Sequence, residues 1–134
     1  MFPQNIIDAF CAMDPTFLVF ALVFILLDVM TGIAKGASQH NLSSEKMKSG
    51  FWHKLGIIAA LVVAGLLDAA AATGLDLGFE VPVFEGVCTY VVLMELLSIL
   101  ENIAEINPEL AGSHVFQLLQ GTAATDPQHD EDEE

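Results

Sequence analysis

Three apolar runs, Thr16 to Ala34, Leu55 to Leu75 and Val83 to Ile103, constrain this chain more than any other feature; each is 19 to 21 residues long. A helix rises about 1.5 Å per residue, so each run covers roughly 30 Å, the thickness of a bilayer's hydrocarbon core. A buried helix in a soluble domain is rarely so long and so uniformly apolar. With 54% of 134 residues hydrophobic and only 16% charged, the pattern predicts an all-α membrane protein with three transmembrane helices, not a water-soluble helical bundle.

The charges set the orientation. All four lysines (Lys35, Lys46, Lys48 and Lys54) fall between the first and second runs, and short loops rich in lysine stay on the cytoplasmic side. The amino terminus is therefore expected outside, residues 76–82 in a short outer loop, and the carboxyl terminus in the cytoplasm. Residues 1–15 form a short outer segment with no basic residue. They lack the positive start of a cleavable signal peptide and are expected to remain attached. Met47, Phe51 and Leu55 are four residues apart beside Trp52, which predicts a short interfacial helix over residues 43–54. Lys35, Lys46, Lys48, Trp52 and Lys54 then serve as topology signals and membrane anchors. The three-span domain occupies residues 16–110. Residues 111–121 form one more short cytoplasmic helix, within a Pro108 to Gly121 stretch too short to span. Residues 122–134 form a disordered acidic tail, since six of the nine residues from Asp126 to Glu134 are acidic.

Several functions are excluded on chemistry. Eighteen acids against four lysines and no arginine give a formal charge of -14, so no run of phosphates can be neutralised and no nucleic acid is expected as a partner. Cys11, Cys88 and four scattered histidines have no ligand spacing for zinc, haem or an iron-sulfur cluster, so neither metal nor cofactor is expected. A Cys11–Cys88 disulfide on the outer side is an alternative to Cys88 acting as a small buried hydrophobe. The sequence has no nucleophile elbow and no phosphate-binding glycine loop, and no enzyme is expected.

The informative residues are the acids within the runs. A charge at mid-bilayer costs about 2.5 to 3.5 kcal/mol even on the lenient insertion scale. By residue counting, Asp28 and Glu95 lie about equally deep and share a layer on the inner side, while Asp68 falls in the outer half. None is expected to have a lysine at its depth, so each must be protonated, hydrogen-bonded or in contact with water. The stagger suits a polar path; the alternative is static bonding between neighbouring helices. Glu95, Ser98 and Asn102 share one face of the third run, and Glu101 points away from it. Thr31 and the acids complete a candidate pore or oligomer face. In the second run Gly56, Ala60, Ala64, Asp68 and Ala72 recur every four residues, a stripe suited either to self-association or to packing within one chain. A three-helix monomer is expected to be too small to hide these polar groups, which predicts a homo-oligomer.

Particular segments then resemble a known family. Leu27-Asp28-Val29-Met30-Thr31-Gly32 followed by Lys35 is similar to the LDxxTGxxK pattern of a phage holin family that includes toxin-secretion holins of clostridia. Lys48-Ser49-Gly50-Phe51 with Lys54 resembles that family's basic loop, and Leu66-Leu67-Asp68 its second-span aspartate. Glu95 to Asn102 resembles its ExxSxxEN stretch. The acidic tail departs from the basic tail of many holins, and only Pro108 stands where the family often has a glycine and two prolines. The resemblance implies a multi-pass protein of the bacterial cytoplasmic membrane. It would oligomerise in the bilayer into lesions or pores, release an endolysin or a toxin, and so time host-cell lysis. The alternatives are a small oligomeric ion channel and a small membrane lipid kinase, the latter disfavoured by the lack of arginine.

Overall fold

The computed structural model describes residues 4–76, 78 and 82–123. The order is α1 (Gln4–Cys11), α2 (Thr16–Ser38), α3 (Ser44–Ala72), α4 (Val83–Ile106), α5 (Pro108–Ala111) and α6 (His114–Ala123). Among the described residues every element is helical, and α2, α3 and α4 are long and apolar enough to cross a membrane. The disordered tail expected over residues 122–134 lies outside the described residues from 124 onward, while Thr122 and Ala123 complete α6.

The helix ends have local causes. The Thr16 N–H donates to Asp14 Oδ1 at 2.9 Å just ahead of α2. The Thr16 hydroxyl, and then its backbone N–H, holds the Asp14 carboxyl below its ordinary pKa. At the other end of α2, His40 takes a left-handed φ of 51°, the Asn41 N–H donates to the Gly36 carbonyl, and the His40 N–H donates to Ala37. These bonds satisfy carbonyls that a helix end leaves open. Gly74, with φ 91°, closes α3 in the same way through Leu75 N–H to Ala70 and Gly74 N–H to Ala71. Ser43 opens α3, its hydroxyl accepting from the Lys46 N–H at 3.2 Å.

Residues 43–54 are therefore not a separate interfacial helix. With a good cap at Ser43 and no proline before Ala72, nothing breaks the backbone between the lysine-rich stretch and the apolar run. α3 continues through both for 29 residues. The segment after the third run is two pieces, α5 and α6, separated at Gly112 and Ser113. The first segment contains a helix of its own, α1, which periodicity had not marked.

α4 is the central element, packed against both α2 and α3, while α1 lies on α3 and α5 and α6 gather near the end of α4. Ala21 and Ile25 of α2, Leu61 and Ala64 of α3, and Phe84, Cys88 and Val91 of α4 form one buried cluster. Gly65 allows α1 to approach: a Cβ there would stand 2.7 Å from the Phe10 ring and 3.4 Å from that of Phe84. Cys88 is buried and Cys11 exposed, and both are free thiols.

The distribution of apolar surface is inverted relative to a soluble bundle. α2 is the most apolar of the three long helices yet has the smallest share of its residues buried, and α4, the least apolar, has the largest. Phe20, Leu26, Met30, Val63, Tyr90 and Leu93 all face outward. A continuous apolar exterior on helices of this length is stable against lipid tails, which solvate it, and not against water.

Candidate functional site: a charged cluster among the three spans

Asp28 lies ten residues before Ser38, the end of α2, and Lys54 lies ten residues after Ser44, the start of α3. In two antiparallel helices joined by a short turn, positions equally far from the turn come level. Here both stand roughly 15 Å from it. The Lys54 ammonium is 2.7 Å from Asp28 Oδ2 and is also bonded to Glu95 Oε2 on α4. One cation thus joins two carboxylates, and the three charges come from three different spans.

The neighbouring polar groups complete the network. Asn102 Nδ2 donates to Asp28 Oδ1 at 3.2 Å and to Thr31 Oγ1 at 3.3 Å. The Thr31 hydroxyl donates to the Asp28 carbonyl oxygen at 3.1 Å. Glu95 is the most enclosed member, its side chain 3% exposed against 12% for Asp28. Among the described residues no buried side-chain nitrogen or oxygen lacks a partner. Bringing three charges out of water costs several kcal/mol per ion, offset only when each is paired and hydrogen-bonded.

Two expectations are corrected here. Asp28 and Glu95 share a layer, but a lysine is at that depth: Lys54 belongs inside the helix pair because α3 begins ten residues ahead of it. A single chain also hides part of the polar set: Asp28, Glu95 and Asn102 are buried with partners on neighbouring helices, while Glu101 remains exposed. These residues therefore do not by themselves require a second copy.

The remaining candidates divide. Asp68 is remote from the cluster: its Oδ1 accepts from the Val83 N–H at 3.1 Å and its Oδ2 from the Phe84 N–H at 2.8 Å. It satisfies the opening turn of α4, where Pro82 supplies no side-chain acceptor. Ser98 is half-buried, and Glu101 is exposed. Of the small-residue stripe, Ala64 is in the core and Asp68 is half-buried, while Gly56, Ala60 and Ala72 are exposed. Lys35 pairs with Glu105 of α4 at 2.7 Å, and Gln39 Nε2 donates to the same carboxylate at 3.1 Å. Lys46, Lys48 and Trp52 are exposed, with the Trp52 ring edge-on to Phe51. No group of three or more metal-ligating side chains occurs among the described residues.

Three long apolar helices around a charged, internally satisfied layer define a small multi-pass helical membrane protein. The sequence matches the Bacteriophage holin family over residues 5–112, and the chain belongs to that family. No curated protein and no solved structure matches it.

Proposed function

We propose that this chain acts as a holin in the full sense. Copies accumulate in the bacterial cytoplasmic membrane and above a critical density oligomerise into lesions through which an endolysin reaches the cell wall. Membership of the family over residues 5–112 carries the reading. Three spans support it; in this reading the lysine-rich connection keeps the α2–α3 turn in the cytoplasm, with the amino terminus outside. In the same orientation the acidic carboxyl-terminal stretch lies in the cytoplasm. The protein works without catalysis, by assembling.

The cluster suggests how one molecule serves two states. In the resting chain the Lys54 ammonium bonds both the Asp28 and the Glu95 carboxylates, so every charged group of this layer has a partner within its own copy, although one cation offsets only one of the two anions. Exposed Gly56 and Ala60, on one side of α3, let the backbone of a second copy approach closely. In the lesion the Lys54 layer turns toward water, which replaces the partners that each charge gives up. Asp68 holds α4 in place in both states instead of lining the opening.

The test is induced expression in a bacterium with and without a co-expressed endolysin that lacks a secretion signal, following optical density and membrane potential. The reading predicts abrupt depolarisation, with lysis only when the endolysin is present. Depolarisation without lysis would indicate a small channel, and no depolarisation would overturn the reading altogether.

A further inference from the structure

A groove of about 670 Å³ runs between α2 and the first half of α3, beside the charged cluster. Ile25, Val29, Ile33, Met47 and Phe51 give it an apolar wall. α4 packs on both helices but α2 and α3 meet each other only sparsely, so the chain itself does not close this space. Because α2 and α3 are spans, the groove opens onto hydrocarbon, and its occupant must be apolar along most of its length. The volume falls within the roughly 300 to 1,000 Å³ typical of sites that enclose one small molecule.

The charge at the groove's rim narrows the choice. Three lysines line it, and two are already engaged: Lys35 with Glu105, and Lys54 with Asp28 and Glu95. Lys46 stands on the first turn of α3, exposed, with no ion pair among the described residues. Lys48 is close by and the only acid on that turn is Glu45, so the rim carries net positive charge at a helix amino terminus, where anions are favoured. An apolar slot with a free cation at its aqueous end matches an amphiphile with an anionic head.

We propose that the groove holds one anionic phospholipid from the leaflet on the lysine-rich side. An acyl chain lies along the α2–α3 wall and the phosphate sits at Lys46. The site rests only on the spans being in a bilayer, and it stands or falls independently of the lysis reading.

The test uses the full chain in vesicles, with Trp52→Phe removing the native tryptophan and Phe51→Trp placing a reporter on the groove wall. Phosphatidylglycerol or phosphatidylcholine with brominated chains is titrated into a phosphatidylcholine background and quenching is followed. Phosphatidylglycerol should quench with about fivefold preference, the worth of one lysine at an anionic surface. Lys46→Gln should abolish that preference and Lys48→Gln should preserve it. Lys46 caps α3 only through its backbone N–H, so the variant keeps the helix start. Equal quenching by the two lipids, or equal losses in both lysine variants, would overturn the proposal. So would weak quenching by either lipid together with disulfide-linked dimers of a Val29→Cys variant, which would assign the groove to a second copy.

Discussion

Lys54 and Asp28 stand level across the α2–α3 turn, and their side chains meet at 2.7 Å. The same ammonium bonds Glu95, so one side chain ties α3 to both of the other spans. Apolar packing joins α4 to α2 and to α3, but the link between α2 and α3 at this layer is ionic. Removing Lys54 leaves two carboxylates without their shared cation, whereas removing all three charges leaves none unpartnered.

Lys54→Met should therefore destabilise the bundle by about 3 to 5 kcal/mol, the usual range when a buried ion pair loses one partner. Adding Asp28→Asn and Glu95→Gln should recover most of that loss. Unfolding of the purified variants in detergent micelles measures both changes.

Asp28→Asn and Glu95→Gln, each tested alone, should delay the onset of lysis without preventing membrane insertion, because each leaves Lys54 paired with one carboxylate and removes the excess negative charge of the layer. Glu95→Gln should act more strongly because Glu95 is the more enclosed carboxylate. Lysis curves at matched membrane abundance test this, and unchanged timing in both variants would remove the cluster from the mechanism.

Asp68→Asn should loosen the start of α4 by about 1 kcal/mol, since an amide accepts with one oxygen where the carboxylate serves two N–H groups. Amide exchange at Val83 and Phe84 should become faster, while exchange near Lys54 stays unchanged.

Gly65→Val should displace α1, because even a Cβ at that position stands 2.7 Å from the Phe10 ring. A spin-label pair at Cys11 and an introduced Ala72→Cys should report a broader and longer distance distribution. The charged layer around Lys54, about eleven residues earlier in α3, should be unaffected.

The three spans are legible in the residues because lipid imposes a simple demand: some 20 apolar residues in a row. The lower end of α3 is not legible this way. Lys46, Lys48, Trp52 and Lys54 lower the hydropathy of a stretch whose backbone stays helical from Ser44 onward, so a boundary read from polarity falls about ten residues late. That shift alone hid the partner of Asp28 and Glu95. The signal that recovers it is the cap at Ser43, from which Lys54 and Asp28 come out equidistant from the turn. Asp68 is different in kind: its partners are backbone N–H groups of another helix, and backbone donors leave no mark in side-chain spacing. The small-residue stripe split for a geometric reason, since a four-residue interval drifts around a helix of 3.6 residues per turn and passes from the exterior at Gly56 and Ala60 through the core at Ala64 and back out at Ala72.

The most direct measurement is the onset of endolysin-dependent lysis, at matched membrane abundance, for Lys54→Met and for the triple variant that adds Asp28→Asn and Glu95→Gln. If ion pairing through Lys54 holds the resting state, Lys54→Met advances the onset strongly and the triple variant returns it most of the way to that of the unaltered chain. The same shift in both variants would show that pairing of these charges does not hold the resting state, and would contradict the account.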